Sequence, residues 1–214
     1  MNIYLDSCDI HMIRQLSNVG IIDGVTTNPA MLPGNYKSKL YTLKQIYSII
    51  TKSVSVQVQS HIYEEILNES YDLLNIFPNL TIKLPITKNG LQACKVLSEK
   101  SVKVNMTLCF SASQALLAAK MRATYVSVFV GRIDDTGSNG INIVKDICEI
   151  FSYYPNISTK VLVASIRNDN HIINSLKLGV DVITLSPKLL LNMIDHPLTQ
   201  KGICLFNQSQ KLSL

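Results

Sequence analysis

The sequence has no paired cysteines, no metal-ligand histidine spacing, no glycine-rich nucleotide loop and no long apolar run. Each absence excludes something. Cys8, Cys94, Cys109, Cys148 and Cys204 are odd in number and scattered, with no CxxC pair, so they read as reduced thiols and not as a disulfide frame or zinc site. His11, His61, His171 and His196 lack ligand spacing, and HExxH is missing, so each reads as a helix or loop surface residue and no metal is expected. GxGxxG and the P-loop pattern are absent, which argues against a nucleotide site. No stretch is long and apolar enough to span a bilayer. The N-terminus opens on Asn2-Ile3-Tyr4-Leu5-Asp6 without a basic start or an apolar run behind it, so no signal peptide is expected and the expected compartment is the cytoplasm. The net charge of +5 comes without a basic cluster interleaved with aromatics, which argues against nucleic acid. A mild positive excess suits either phosphorylated substrates or a solvated surface.

What is present is a regular alternation. A chain of 214 residues, 47% hydrophobic, fits one domain with a full core. Strands are expected at 2–6, 21–25, 54–58, 81–87, 102–108, 124–130, 160–164 and 181–185. Helical patterns fall between them. Ile10–Asn18 is closed by Gly20, Leu40 to Ile50 recur at helical spacing, and Ile62–Ile76 is stopped by Pro78. Gly90–Lys100 follows, and Ser111 with Gln114 forms a capping box ahead of the run to Lys120. Ile141 to Phe151 form an apolar stripe, His171–Leu178 ends at Gly179, and Ser186 caps a helix with Pro187 at its first position. The tail, about 196–214, is expected to hold one more short helix. Eight strand–helix units predict an α/β fold, a single (β/α)8 barrel over residues 1–214, ahead of an open doubly wound sheet.

Strand parity sharpens this. Parallel strands are usually apolar on both faces. Here Asn2, Tyr4 and Asp6 oppose Ile3 and Leu5; Ser55 and Gln57 oppose Val54, Val56 and Val58; Thr81 and Lys83 oppose Ile82 and Leu84. Asn105 and Thr107 oppose Val104, Met106 and Leu108, and Tyr125, Ser127 and Phe129 oppose Val126, Val128 and Val130. In a barrel the apolar set meets the helices and the polar set enters the lumen, toward the strand C-terminal ends where barrel active sites are built. The alternative is a hydrogen-bonded polar core.

Lys83 is central. Desolvation lowers a buried lysine's pKa and leaves a nucleophilic amine able to form a Schiff base with a carbonyl; the alternative is a lysine that snorkels to solvent. With Asp6 as acid/base, Thr107 and Gln57 would hold the water for imine formation and hydrolysis, and Asn28 and Asn105 would bind sugar hydroxyls. Arg132, Arg167 and Ser165, just past strand ends, would hold a phosphate, or the arginines would form surface salt bridges.

These residues sit in runs that resemble the transaldolase family: Asp6, Gly24-Val25-Thr26-Thr27-Asn28-Pro29, Ile82-Lys83-Leu84-Pro85, Asn105-Met106-Thr107-Leu108, Phe129-Val130-Gly131-Arg132-Ile133-Asp134-Asp135, Ala164-Ser165-Ile166-Arg167 and His196-Pro197-Leu198-Thr199. The likeness runs in order over about residues 1–206 and is greatest to the short-chain subfamily that includes fructose-6-phosphate aldolases. It implies class I chemistry without metal or organic cofactor. Lys83 would be the Schiff-base lysine, Asp6 the acid/base, and Thr107 and Gln57 the water holders. Thr26, Asn28, Asn105, Ser127, Phe129, Arg132, Ser165 and Arg167 would stand at substrate positions. It further implies sugar-phosphate substrates of the pentose phosphate pathway and homo-oligomers, pentamers or decamers, built with the C-terminal helix. Gln57 is similar to the aldolases, where most transaldolases carry glutamate. Phe129 is similar to transaldolases, where the aldolases carry tyrosine, and Val128 replaces a common proline. The expected activity is therefore transaldolase, with aldolase as the alternative and a silent sugar-phosphate-binding barrel as a third.

Overall fold

The computed structural model describes residues 1–32 and 34–211, so positions 212–214 of the expected tail lie outside the described residues. Eight parallel strands close a barrel in sequence order. They are β1 (Asn2–Asp6), β2 (Gly24–Thr26), β3 (Ser53–Gln57), β4 (Thr81–Pro85), β5 (Val104–Cys109), β6 (Tyr125–Phe129), β7 (Lys160–Ala164) and β8 (Val182–Leu185). Closure is made by β1 against β8, with Tyr4 opposite Thr184 and Leu5 opposite Leu185. Around it run α1 (Ile10–Val19), α2 (Tyr36–Ile49), α3 (Tyr63–Ile76), α4 (Lys88–Glu99) and α5 (Ala112–Lys120). Then come α6 (Val130–Asp134), α7 (Gly140–Ser152), α8 (Asp169–Lys177), α9 (Pro187–Ile194) and α10 (Pro197–Lys211). The (β/α)8 barrel expected from the alternation is the fold observed.

Local chemistry starts most helices where they start. Asp9, Asn35, Thr87, Ser111, Asn139, Asn168 and Ser186 each accept a backbone N–H of the first turn through a side-chain oxygen. Gln114 completes the start of α5 by accepting from Phe110 N at 2.8 Å. Gly20 ends α1 at φ 82°, a left-handed cap that a side chain would oppose.

The alternation places the core. Leu5, Val25, Ile82, Leu84, Met106 and Val126 are fully buried between barrel and helices. Each such side chain contributes roughly 1.5–3 kcal/mol by leaving water. The inner faces of β1 to β6 carry the polar set, whereas Leu162, Ala164 and Val182 of β7 and β8 form an apolar lining with Tyr4 and Tyr125.

Several expectations change. Strand four ends at Pro85 and not at Thr87, because Thr87 caps α4, and strand five starts at Val104 and not at Val102. The second strand is Gly24–Thr26, later and shorter than 21–25. Strand six ends at Phe129, because Val130 opens the additional short helix α6. The terminal helix is long, 15 residues. On β5 the alternation breaks at Leu108, which sits at φ 60° in a register shift between Met106 and Cys109, so Cys109 and not Leu108 continues the outward apolar face.

Candidate active site

The strand C-terminal ends carry the polar lumen residues. Register sets their order: Gln57 lies opposite Lys83, Lys83 opposite Asn105, and Pro85 opposite Thr107. Lys83 is 5% exposed, and its Nζ donates to Thr27 O at 3.1 Å. Burial pushes its pKa down; the Asp6 carboxylate opposes this, and the Arg132 cation adds to it. Asp6 moves the opposite way: burial raises it, while a hydrogen bond from Thr26 and the charge of Lys83 pull it back. Two ionisable groups of opposite sign, each driven toward neutrality by desolvation, thus lie within each other's field at the strand C-terminal ends.

Around them the hydroxyls and amides are ordered. Thr26 Oγ1 donates to Asp6 Oδ1 at 2.9 Å and lies 2.7 Å from Thr184 Oγ1. Ser127 Oγ donates to Asn105 Oδ1 at 2.7 Å, and Asn105 Nδ2 donates to Ser55 Oγ at 3.4 Å, which fixes the Asn105 amide. Asn28 Oδ1 accepts from Met31 N at 3.1 Å, capping a single 3-10 turn, and its NH2 group makes no hydrogen bond among the described residues. Thr107 Oγ1 is buried without a partner among the described residues. A buried hydroxyl in that state departs from the rule that buried polar groups are paired. Asp6 also borders an open hollow of about 430 Å³ with Ser7, Cys8, Asp9, Met31 and Thr42. Gln57 is half-buried at the end of β3 and borders a second hollow, about 380 Å³, between α2 and α3.

The mouth is walled by an aromatic and cationic group. The Phe129 ring lies 6.0 Å from Lys83 Nζ, 5.1 Å from Arg132 Cζ and edge-on to Phe110 at 6.1 Å. Gly131 N donates to Ser165 O at 3.1 Å. A Cβ on Gly131 would lie 2.3 Å from that oxygen and 2.6 Å from Arg167 Nε, so only glycine permits this approach of the β6 and β7 loops. Ser165 is held at φ 59°, a left-handed conformation that a non-glycine residue keeps only where its surroundings impose it. Arg167 is exposed and its guanidinium forms a bidentate pair with Asp135, which holds that carboxyl below its usual range.

The structure therefore gathers Lys83, Asp6, Thr26, Asn105, Ser127 and Phe129 through direct contacts or mutual fields. Arg132 joins through Phe129, while Arg167 and Ser165 meet it through Gly131. Several neighbours were not anticipated. Thr184 was detectable, since it shares the inward parity of Val182. Thr27 contributes through its backbone carbonyl and Phe110 through the turn after the bulge; side-chain periodicity signals neither. His171, expected at the surface, is 8% exposed and paired with Asp134 of α6 at 2.7 Å, on a helix that packs against α7. Among the described residues no three His, Cys, Asp or Glu side chains gather in a metal-ligating group.

Residues 3–213 match the family described as transaldolase/fructose-6-phosphate aldolase. A probable transaldolase of Brucella ovis is 43% identical over 203 residues, covering 95% of this chain and 93% of that protein. One from Nitrosopumilus maritimus is 41% identical, covering 95% and 91%. Thiamine phosphate pyrophosphorylase from Pyrococcus furiosus superposes with a TM-score of 0.56 at 16% identity over 86% of this chain and 85% of its own, a likeness of fold alone. With the barrel, the inward lysine and aspartate, and relatives matched over nearly their full length, the chain belongs to the transaldolase/fructose-6-phosphate aldolase family.

Proposed function

We propose that this protein is a transaldolase that moves a dihydroxyacetone unit between sugar phosphates through a Schiff base on Lys83. The observation that carries the reading is the buried Lys83 amine, lowered in pKa and facing Asp6. The unprotonated amine attacks the C2 ketone of fructose 6-phosphate or sedoheptulose 7-phosphate, and the carbinolamine loses water to give the imine. Asp6 then takes the C4 hydroxyl proton as the C3–C4 bond breaks. The aldose phosphate leaves, and its electron pair remains as a Lys83-bound enamine. Attack of that enamine on a second aldehyde and hydrolysis of the new imine complete the transfer. In the assigned direction, sedoheptulose 7-phosphate and glyceraldehyde 3-phosphate give erythrose 4-phosphate and fructose 6-phosphate.

Thr107, whose hydroxyl has no partner among the described residues, and Gln57 hold the water exchanged with the imine. Thr26, Asn28, Asn105 and Ser127 bind substrate hydroxyls, Phe129 walls the site, and Arg132, Arg167 and Ser165 receive the phosphate. For Arg167 this requires the phosphate to share or replace Asp135. No metal or organic cofactor takes part. The site of action in this reading is the cytoplasmic pentose phosphate pathway. Exposed Ile194 on α9 and Leu198 and Phe206 on α10 support assembly of copies into a pentamer or decamer.

A second reading, aldolase, is favoured by Gln57 and opposed by Phe129. Hydrolysis that outruns transfer needs a polarised water, and a phenyl ring offers it no hydrogen bond. Incubation with fructose 6-phosphate, with and without erythrose 4-phosphate, separates the two. Transfer predicts little dihydroxyacetone and strong stimulation by the acceptor; rapid release without stimulation assigns the aldolase. Borohydride should leave a dihydroxyacetone-derived mass on the Lys83 peptide, and a label on another lysine removes the mechanism. Phe129→Tyr is expected to raise dihydroxyacetone release.

A further inference from the structure

Thr26 makes two hydroxyl contacts with one proton. Its Oγ1 is 2.9 Å from Asp6 Oδ1 and 2.7 Å from Thr184 Oγ1. An ionised carboxylate has only lone pairs to offer, so Thr26 must be the donor toward Asp6. Its proton is then committed, and the shorter contact can be made only if Thr184 donates. If Thr26 instead donated to Thr184, a hydroxyl lone pair would face the carboxylate in a dry site, where Thr26 is 2% and Thr184 4% exposed. The strands impose the arrangement. β8 pairs with β1, placing Thr184 opposite Tyr4, and β2 pairs with β1 on the other side, placing Thr26 opposite Asp6.

We propose that Thr184 is a positioning residue for Asp6, whose donated hydrogen bond fixes the Thr26 proton on the Asp6 carboxylate. The link rests on Asp6 acting as the acid/base. Donors in series polarise one another, and a chain ending on an anion gains more than one ending on a neutral acid. The chain therefore favours the ionised base and offsets the burial that disfavours it. Other charged or titratable groups around Asp6 are Lys83 from β4 and Cys8 and Asp9 from the loop after β1; Arg132 bears on Lys83. β2 and β8 bring only Thr26 and Thr184 to it. A change at Thr184 leaves the charged neighbours in place.

The test is the pH profile of fructose 6-phosphate cleavage by the full chain. Thr184→Val should move the acid limb of kcat upward by a few tenths of a pH unit, roughly a twofold to fourfold loss of rate on that limb. KM and borohydride trapping at Lys83 should stay unchanged, and Thr184→Ser should restore the profile. In a Thr26→Val background, Thr184→Val should have no further effect. Thr184→Ala carries the same test if valine crowds the site and the protein does not fold. An unmoved limb, or an equal shift in the Thr26→Val background, overturns the link. Normal turnover by Asp6→Asn overturns instead the role of Asp6 itself, so the two failures are distinguishable.

Discussion

The lumen is polar at both ends, but the two ends are built differently. Toward the strand N-termini, Tyr4 OH meets Tyr125 OH at 2.9 Å with the rings edge to face, and Ser53 Oγ meets Thr81 Oγ1 at 3.3 Å. Those groups satisfy one another. Toward the C-termini, Lys83 Nζ has one hydrogen bond, to a carbonyl, and Thr107 Oγ1 has none among the described residues. A buried polar group normally finds a partner, so paired hydroxyls at the closed end serve the fold. At the open end most hydroxyls and amides are paired too, but among the described residues Thr107 Oγ1 is not. Polarity alone does not mark an active site; incomplete satisfaction does.

Substitutions at the two ends should separate activity from stability. The largest effect is expected from Asp6→Asn, which should lower carbon–carbon cleavage by about 10²–10⁴ while borohydride still traps the imine on Lys83. Loss of trapping as well would make Asp6 part of imine formation. Next, Arg167→Ala should cost roughly tenfold or more in preference for phosphorylated over unphosphorylated aldehyde acceptors, the scale of one charge-assisted hydrogen bond. Equal losses for both acceptors would assign Arg167 to its pair with Asp135.

At the closed end, Tyr125→Phe leaves the Tyr4 hydroxyl without its partner, so unfolding should become easier by about 1–3 kcal/mol with kcat unchanged. A kinetic defect there would erase the distinction between the ends. The smallest effect concerns charge. Lys83 has a folded-state pKa below 10.5, so the unfolded chain binds more protons between the folded value and 10.5, and stability rises with pH through that window. Asp6 has a folded-state pKa above 3.8, so the folded chain binds more protons just above 3.8, and stability falls as pH rises through that window. At neutral pH both groups oppose folding. The inactive double variant Lys83→Met/Asp6→Asn should therefore melt higher, by about 2–4 °C for each kcal/mol recovered in a chain of this size. A lower melting point would mean that the mutual attraction of the two charges outweighs their desolvation.

The barrel was legible in the sequence, and so was the inward placement of most candidate site residues, because both depend on periodicity. Asp6, Gln57, Lys83, Asn105, Thr107 and Ser127 occupy inward strand positions, and alternation alone orders them. Where periodicity stops, legibility stops. Leu108 leaves the alternation through a positive φ, and α6 begins inside the run that reads as the end of strand six. The Arg167–Asp135 pair joins residues 32 apart in sequence across two loops, and nothing in their spacing announces it. His171 is hidden for the same reason: α8 packs against α7 and its histidine reaches Asp134 of α6, an event between elements.

Gly131 has a consequence for how specificity can change. Its bare backbone lets the start of α6, which bears Arg132, rest directly on the loop bearing Ser165 and Arg167. The two arginines thus stand on segments joined by a direct backbone contact. A mutational library that seeks new acceptors should vary the two loops jointly and leave position 131 untouched. Improved variants should then carry changes on both sides of that glycine, and single-loop solutions should be scarce.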